Sequence, residues 1–392
     1  MRIGVFGGSF DPVHEEHIRL VEGAVSSLGL DRLFVMPAHT PPHKKGKTLS
    51  SNEDRLAMCK LAFADMDKVT VSDYEMRKGG TSYTYLTCRY FKELYPAAEL
   101  FWLVGTDMLR DFPTWKNPNQ ILEDATLAVC DRAEKTDWVA AEQEKFYNKF
   151  GKKFEVIGYN GANVSSTQIR ILAGAGSSLT GVTPSVAAYI KERGLYQIPF
   201  AKEALELENE KRRAHSIRVA NLAVAKAAQM KIPEKQAITA ALFHDCAKNL
   251  TEDSPYLKDF HLKEEWGNVP KQVVHQFAGA YVAEKFFGVT DEDVLNAVRF
   301  HTSGRAGMSE LEKLIFLADM LEDARSYAGV DELRALFWQE KVLDACLEEA
   351  LFQTLEFLKE KKEDIYVLTQ QAYLYMRGKR QNREANNETD NQ

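Results

Sequence analysis

The stretch Gly7-Gly8-Ser9-Phe10-Asp11-Pro12-Val13-His14-Glu15-Glu16-His17 lies between an apolar run, residues 2–6, and an amphipathic segment, residues 18–28. A strand, a glycine-containing loop and a helix in this order predict the first half of a βαβ unit. A glycine pair lets the backbone approach a phosphate closely, and a helix N-terminus presents free N–H groups and positive potential. His14 and His17 are three residues apart and can face the same ligand. The alternative is a polar turn with incidental histidines.

Six β-rich runs precede residue 197, at residues 3–6, 33–37, 69–72, 100–104, 127–130 and 154–157. Helical patterns lie between them. Strands that alternate with helices predict βαβ units, a mostly parallel sheet and therefore an α/β, Rossmann-like fold. Ligands of such sheets bind at the carboxyl ends of the strands, beside a topological switch point. We therefore expect functional residues in the loops that follow the strands.

The second half of the chain has a different pattern. Long segments of helical periodicity lie at residues 205–229, 235–248, 271–287, 291–300, 309–327 and 342–360. They predict an all-α helical bundle. The predicted domains are residues 1–198 and 203–377, with the domain boundary at Gly194-Leu195-Tyr196-Gln197-Ile198-Pro199. Residues 378–392 are rich in Asn, Glu and Gln and are predicted to form a disordered tail.

The chain has 392 residues, a formal net charge of -7 and five cysteines without a C-x-x-C pair. The charge disfavours nucleic-acid binding, which needs clustered Lys and Arg. The cysteine pattern argues against a disulfide framework or a zinc knuckle and for a reducing compartment. Neither a membrane-spanning stretch nor a signal-peptide pattern is evident. We expect a cytoplasmic protein that binds small molecules rather than nucleic acid or membranes, with a homo-oligomer left open.

A second motif, Val164-Ser165-Ser166-Thr167-Gln168-Ile169-Arg170, follows the last predicted strand and begins a helix. It resembles the I-S-S-T-x-x-R signature of the nucleotidylyltransferase superfamily. The loop that ends at His17 resembles the first signature of that superfamily, whose H-x-G-H histidines hold the phosphates of a nucleoside triphosphate. The resemblance implies that the triphosphate is bound by Gly7, Gly8, Ser9, Phe10, His14 and His17. It also implies that the nucleotide and the leaving pyrophosphate are bound by Ser165, Ser166, Thr167 and Arg170.

Within that superfamily, residues 1–197 most resemble nicotinate-nucleotide adenylyltransferases. The resemblance is carried by Met36-Pro37-Ala38-His39-Thr40-Pro41-Pro42-His43-Lys44, Thr81-Ser82-Tyr83-Thr84, Leu103-Val104-Gly105-Thr106-Asp107, Trp115 and Arg132. It implies transfer of AMP from ATP, with Mg²⁺ on the triphosphate, to nicotinate mononucleotide. Lys44 would then neutralise phosphate charge, and Gly105 and Asp107 would contact the nucleotide. The acceptor side would be bound by Lys44, Ser82, Tyr83, Thr84, Trp115 and Arg132.

Three positions depart from the family patterns, and one of them, Val164 in place of isoleucine, is conservative. Glu16 replaces the glycine between the histidines, so its side chain must point away from the triphosphate or the loop must be remodelled. Leu86 replaces the aspartate of the S-Y-T-x-D-T motif. The rival acceptor is a compound such as pantetheine phosphate, and the P-P-H-K loop and Trp115 argue against it. His39 and Trp138 are interpreted as structural residues.

The helical half contains His244-Asp245 directly after the apolar run Ala240-Ala241-Leu242-Phe243. Asp319 also follows an apolar run, and a buried aspartate is costly unless it is paired or bound to metal. Imidazoles and carboxylates from several helices suit Fe or Mn, and also Zn. The candidate ligands are His215, His244, Asp245, His275, His301 and Asp319, and six of them favour two ions. The alternative is a set of hydrogen-bonded core histidines.

The order H…HD…H…H…D resembles the HD superfamily. His244-Asp245-x-x-Lys248-Asn249-Leu250 and His301-Thr302-x-Gly304-Arg305 resemble its symmetrical diadenosine-tetraphosphate hydrolases. The resemblance implies cleavage to two ADP at two Fe or Mn ions, with Asp245 and Lys248 catalytic and Lys248 and Arg305 on phosphates. One ion would be held by His215, His244, Asp245 and Asp319, and the other by Asp245, His275 and His301. Two alternatives stay open: another nucleotide substrate, or a regulatory domain that binds a nucleotide without hydrolysis.

Overall fold

The computed structural model describes residues 1–42, 49–131, 138–339 and 343–389, with side chains as far as residue 382. The chain divides into two compact units. Unit 1 comprises Met1–Arg170 and Leu179–Leu195, and unit 2 comprises Ile171–Ser178 and Tyr196–Gln392. The domain limits 1–198 and 203–377 stay predictions.

Unit 1 contains a parallel six-stranded sheet in the order β3-β2-β1-β4-β5-β6. The strands are β1 (Arg2–Gly8), β2 (Arg32–Pro37), β3 (Val69–Val71), β4 (Glu99–Gly105), β5 (Thr126–Asp131) and β6 (Glu155–Gly158). Each overlaps one of the six predicted runs, which confirms the α/β fold. The strand order reverses between β1 and β4. The switch point therefore lies at the carboxyl ends of these two strands, where Gly8 and Gly105 are the last strand residues.

The first nine helices are α1 (Glu15–Ser27), α2 (Asn52–Ala62), α3 (Tyr74–Lys78), α4 (Thr84–Leu94), α5 (Thr106–Asp111), α6 (Pro118–Asp124), α7 (Val139–Phe150), α8 (Ser166–Gly174) and α9 (Pro184–Glu192). An apolar core forms between the sheet and helices such as α4, α6 and α7. Val5, Trp102 and Phe112 belong to it and are almost fully buried. The strands are apolar along their length because helices cover a parallel sheet.

Unit 2 is a helical bundle, as predicted. Its helices are α10 (Ala201–Glu206), α11 (Glu210–Met230), α12 (Glu234–Phe243), α13 (Val274–Lys285), α14 (Glu292–Arg299), α15 (Glu310–Leu321), α16 (Val330–Gln339), α17 (Asp344–Glu360) and α18 (Val367–Thr389). Their buried faces form one core that includes Phe243, Val298 and Leu314. Among the described helices, none is both long enough and apolar enough to cross a membrane.

Three predicted helices differ from the structure, and the one predicted at residues 309–327 ends at Leu321. The single helix predicted at residues 205–229 is two helices, α10 and α11. The break occurs at Asn209, whose side-chain oxygen accepts a hydrogen bond from the backbone N–H of Arg212 at 3.0 Å and caps α11. The helix predicted at residues 235–248 ends at Phe243, which leaves His244 and Asp245 in the turn that follows.

The helix α18 continues to Thr389, into the stretch from residue 378 for which a disordered tail is predicted. Lys379 and Arg380 form ion pairs with Asp344 and Glu348 of α17, at 2.8 and 3.0 Å. The Arg, Gln, Glu and Ala residues of this stretch also have good helix propensity. A polar composition therefore does not exclude a helix that is anchored through its charges.

Lys313 on α15 is a buried lysine, 3% exposed. Its Nζ lies 2.7 Å from Asp344 Oδ1 and 2.6 Å from Glu310 Oε1. Asp344 Oδ2 lies 2.8 Å from Lys379 Nζ. This ionic network joins α15, α17 and α18. A buried charge that loses its partner destabilises a fold far more than an exposed one does.

We expect Lys313→Met to lower the free energy of unfolding by about 2 to 3 kcal/mol, because Asp344 loses a buried cationic partner. Urea unfolding of the full chain, followed by far-UV circular dichroism, measures the change. Lys359→Ala removes an exposed ion pair with Glu356 and serves as the control, with an expected change below about 0.5 kcal/mol. Equal unfolding midpoints for the two variants would contradict this account of the network.

Candidate active sites

His14 and His17 lie together at the carboxyl end of β1. His14 is the N-cap residue of α1, and its backbone N–H donates a hydrogen bond to His17 Nδ1 at 3.1 Å. The two rings are stacked, with centroids 3.6 Å apart. Both rings are therefore at the N-terminus of α1, beside the topological switch point, where an anionic ligand is favoured.

The glycines of the loop are required by neighbouring aromatic rings. A Cβ atom on Gly7 would lie 2.8 Å from the Trp102 ring, and one on Gly8 would lie 2.9 Å from the Phe10 ring. Both distances are shorter than real Cβ contacts. Larger residues at these positions would push Trp102 or Phe10 out of the packed core.

The second motif contacts the first. Ser166 Oγ donates a hydrogen bond to the Pro12 carbonyl oxygen at 2.8 Å, and Arg170 Nη1 donates one to the Asp11 carbonyl oxygen at 2.6 Å. Arg170 Nη2 also donates to Thr167 Oγ1 at 3.0 Å. Two motifs about 150 residues apart in sequence thus form one site.

Arg55 belongs to this site, although no motif indicated it. Its side chain is 1% exposed. The guanidinium donates hydrogen bonds to the carbonyl oxygens of Ser9, Ser50 and His39, at 2.8, 3.1 and 3.3 Å. An arginine at the start of an amphipathic segment gives no sequence signal of burial, because it usually lies at the surface.

The predicted acceptor side comes together in part. Ser82 Oγ accepts a hydrogen bond from the His39 backbone N–H at 2.9 Å, which joins the loop after β2 to the start of α4. The Trp115 ring packs on Phe112, with centroids 5.4 Å apart. Tyr83 and Thr84 lie at the N-terminus of α4, and Leu86 lies half-buried in its first turn.

Asp107 lies in the first turn of α5, directly after β4. Its Oδ1 would be 2.7 Å from a Cβ atom on Gly105, so only glycine fits there without a shift of Asp107. Ser165 precedes α8, and its hydroxyl accepts a hydrogen bond from the Gln168 backbone N–H at 3.2 Å. Lys44 and Arg132 lie outside the described residues. Their roles stay predictions.

Glu16 is buried, 2% exposed. Its carboxylate accepts hydrogen bonds from the Tyr159 hydroxyl, at 2.7 Å, and from the Ala162 backbone N–H. The loop after β6 therefore holds this side chain, which accounts for a glutamate at the position where the family pattern has glycine.

In unit 2, the six predicted metal ligands form one cluster. They are contributed by α11 (His215), the turn after α12 (His244 and Asp245), α13 (His275), the turn after α14 (His301) and α15 (Asp319). Three overlapping groups have potential ligand atoms that all lie within 4.8 Å of one another: His215 with His244 and Asp245, His244 with His301 and Asp319, and Asp245 with His275 and His301. Residues more than 100 positions apart in sequence thus form one His/Asp site.

Three histidine rings are oriented by acceptors at Nδ1. His244 Nδ1 lies 2.7 Å from the Ala241 carbonyl oxygen, and His301 Nδ1 lies 2.8 Å from the Val298 carbonyl oxygen. His215 Nδ1 lies 3.1 Å from Glu322 Oε1. The carbonyl contacts place the proton of His244 and His301 on Nδ1 and leave Nε2 as the ligand atom, which is how proteins commonly orient metal-binding imidazoles. His215 has a carboxylate at each ring nitrogen, because its Nε2 lies 2.8 Å from Asp319 Oδ1.

The donor set fits a divalent metal. Among the described residues, His244 Nε2 and Asp245 Oδ1 are buried atoms without a hydrogen-bond partner. Buried polar atoms are rarely left unpaired. Asp245 Oδ1 lies 3.4 Å from Nε2 of both His275 and His301. A cation bound among these nitrogen and oxygen atoms would satisfy them.

Three of the ligands are in the form that binds a cation, whereas, against the effect of burial, Asp245 raises the pKa of His244 to about 9, so a bound ion would have to displace that proton. Burial, together with the nearby His301 and Lys248, lowers the pKa of His275 to about 2, so the ring is neutral. Burial opposes ionisation of Asp245, but His244 and His301 hold its pKa well below the usual range. Asp319 is likewise held ionised, against its burial, by the hydrogen bond from His215. Ionised carboxylates and a neutral imidazole are the forms that bind metal.

Several charged residues around the cluster were not predicted. Arg212 contacts Asp245, Arg325 contacts Asp319, and Arg218 Nε lies 2.6 Å from Glu322 Oε2. Lys248, which was predicted, lies 2.8 Å from His275 Nε2.

Arg305 was predicted to bind phosphate. Its described contacts are an ion pair with Glu312, at 2.7 Å, and a cation–π contact with Phe300. These contacts do not include any of the six candidate ligands. The phosphate role of Arg305 stays a prediction.

Comparisons with known proteins match both halves of the chain. Residues 5–171 match the cytidylyltransferase-like family, and residues 212–324 match the HD domain family. A Mycoplasma genitalium protein named "probable nicotinate-nucleotide adenylyltransferase/Ap4A hydrolase" is 29% identical over 93% of this chain and 99% of its own length. A Neisseria meningitidis protein named for the adenylyltransferase alone is 36% identical over 50% of this chain and 98% of its own.

Among solved structures, a Clostridium acetobutylicum HD superfamily hydrolase, described as involved in NAD metabolism, is 33% identical. It matches 46% of this chain and 96% of its own, with a TM-score of 0.42. The Neisseria protein is covered almost completely at 36% identity. The chain therefore belongs to the nicotinate-nucleotide adenylyltransferase family and carries an HD domain after the adenylyltransferase domain.

Proposed function

We propose that unit 1 transfers AMP from ATP to nicotinate mononucleotide and releases pyrophosphate and deamido-NAD, a step of NAD biosynthesis. The observation that carries this proposal is that the Ser166–Arg170 motif is hydrogen-bonded to the loop that leads into the stacked His14–His17 pair, at the switch point of the sheet. The family to which the chain belongs supports the choice of substrate. We further propose Mg²⁺ as the companion ion of ATP.

The reaction needs positioning and charge stabilisation more than acid–base chemistry. The phosphate of nicotinate mononucleotide is already anionic, and it attacks the α-phosphorus of ATP in line. We assign His14 and His17 to the triphosphate, and Arg170, Ser166 and Thr167 to the pyrophosphate that leaves. Lys44 is assigned to the phosphate charge that develops in the transition state.

The nucleotide and the acceptor are assigned to the loops around this centre. Gly7, Gly8, Ser9 and Phe10 would border the phosphates, Ser165 the nucleotide, and Gly105 and Asp107 the ribose. The acceptor would be held by Ser82, Tyr83, Thr84, Trp115 and Arg132. Arg55 fixes the backbone of Ser9 and His39 from within the protein, and acts as a positioning residue.

We propose that unit 2 hydrolyses diadenosine tetraphosphate to two ADP. The Mycoplasma relative, whose name contains both activities, supports this substrate. We assign His215, His244, Asp245 and Asp319 to one Fe or Mn ion, and Asp245, His275 and His301 to a second. Such ions supply Lewis acidity and activate water near neutral pH. Lys248, directed at the cluster, and Arg305 would bind phosphate oxygens.

The five cysteines are buried free thiols. Together with the metabolic substrates, they support the further proposal that the enzyme works in the reducing cytoplasm.

Arg170→Ala should lower kcat for pyrophosphate release at least about 100-fold, because the leaving group loses its charge partner. Hydrolysis of diadenosine tetraphosphate by the same preparation should not change. Arg77→Ala, which removes an exposed arginine paired with Asp73, is the matched control and should retain full transferase activity. An Arg170→Ala variant with normal kcat would refute the assigned role.

The acceptor is tested by pyrophosphate release with nicotinate mononucleotide, nicotinamide mononucleotide and pantetheine phosphate. We expect the highest kcat/KM for nicotinate mononucleotide. A lack of preference for it would refute the proposed substrate.

Asp245→Asn should lower the bound Fe or Mn and abolish ADP formation from diadenosine tetraphosphate, because Asp245 contributes to two of the three ligand groups. Metal content is measured by mass spectrometry and products by chromatography, on the full chain. Asp331→Asn, at an exposed aspartate, is the control. AMP and ATP as products of the wild type would contradict symmetrical cleavage. A metal-loaded wild type without turnover would favour another nucleotide or a regulatory domain.

A further inference from the structure

Arg212 and Arg325 hold the carboxylates that the proposed ions require. Arg212 Nη1 lies 2.6 Å from Asp245 Oδ2, and Arg325 Nη2 lies 2.5 Å from Asp319 Oδ1. Neither arginine belongs to a motif that the sequence indicated. These ion pairs neutralise two carboxylates that would otherwise repel each other inside the bundle.

The carboxylate of Asp245 cannot hold the ion pair with Arg212 and also bind two metal ions at full strength. This aspartate belongs to one ligand group with His215 and His244 and to another with His275 and His301. If each oxygen of this carboxylate held one ion, both oxygens would be engaged. Among the described residues, Oδ1 has no hydrogen-bond partner, whereas Oδ2 is the oxygen that Arg212 contacts. Ion binding and the Arg212 contact therefore compete for the same oxygen.

Arg325 and a metal ion compete in the same way for the carboxylate of Asp319. Its Oδ1 is contacted both by Arg325 and by His215 Nε2, the latter at 2.8 Å. The ligand group that contains Asp319 also contains His244 and His301. A cation bound there would face the Arg325 guanidinium across a single oxygen atom, which raises the electrostatic energy of both.

A cavity beside His215 offers space into which the side chains of both arginines can move. A cavity of about 440 Å³ borders His215 and is lined by Lys211, Arg212, Arg218, Arg325 and Tyr327, among others. The side chains of Arg212 and Arg325 are 30% and 38% exposed, so they can turn without disturbing the core. Four cationic side chains around one cavity suit a ligand with several phosphates, since guanidinium groups bind phosphate bidentately.

We infer that Arg212 and Arg325 exchange their carboxylate partners for substrate phosphates when the metal ions bind. The inference rests on the proposed hydrolase function. Arginine stays charged in both states, so the exchange moves no proton. Metal binding thereby releases two cationic groups to the cavity, and the binding of metal and of polyphosphate become favourably coupled.

The test uses Arg212→Ala and Arg325→Ala in the full chain, with calorimetric titration of Mn²⁺ into metal-free protein. Each variant lacks one competitor for a ligand oxygen, so the Kd for Mn²⁺ should fall about fivefold or more. Inorganic tripolyphosphate is then titrated into the Mn²⁺-loaded variants, and its Kd should rise about tenfold. The Kd for Mn²⁺ and the Kd for tripolyphosphate should therefore change in opposite directions.

A purely positioning role predicts a different result. If the arginines only orient Asp245 and Asp319, their loss weakens Mn²⁺ binding, and that outcome would overturn the inference. Arg299→Ala removes an arginine paired with Glu292 at 3.0 Å, and serves as the control in which neither constant changes.

Thermal unfolding separates this result from misfolding of the variants. Tighter Mn²⁺ binding gives a larger metal-induced rise in Tm, so the rise should be larger in both variants than in the wild type. A smaller rise would overturn the inference. A wild type that binds no Mn²⁺ would refute the hydrolase proposal as well. Normal hydrolysis by the wild type together with weakened metal binding in the variants would refute only the exchange.

Discussion

The burial of Asp245 is the constraint on which the arrangement of unit 2 depends. This carboxylate is 1% exposed, and a buried charge is tolerated only when opposite charges and hydrogen bonds surround it. Histidines from α11, α13 and the turns after α12 and α14 converge on it, and Arg212 approaches from the exposed side. Each of these residues is fixed by its helix. The helices must therefore pack in the observed order for the bundle to hold this charge at all.

The site of unit 1 is held in a different way, mainly through hydrogen bonds to the backbone of one loop. The carbonyl oxygens of Ser9, Asp11 and Pro12 lie in one loop and accept hydrogen bonds from Arg55, Arg170 and Ser166. These donors come from α2 and α8, both of which follow the loop in sequence. The loop is thus held in place before any ligand arrives. A preorganised loop needs little rearrangement when charge develops during phosphoryl transfer.

The sequence allowed the parallel sheet, the helical bundle and the six candidate ligands to be predicted, since each has a local signal. His244 and Asp245 follow an apolar run, and the strands are separated by helical patterns. Arg218 and Glu322 had no such signal. They are 104 residues apart in sequence, and charged residues on helices usually face solvent. Arg55 was not predicted for the same reason. The helix break at Asn209 was not predicted because a single capping residue can divide a continuous helical pattern.

The hydrogen bonds from His244 and His301 to Ala241 and Val298 fasten each ring to the last turn of its own helix. Each histidine ring therefore keeps a fixed orientation around the axis of the helix that precedes it. Insertion or deletion of one residue between Ala241 and His244 would rotate the ring by about 100° around the helix axis. In evolution, these two helix ends should thus tolerate exchange of their apolar side chains while the number of residues between carbonyl and ring stays constant.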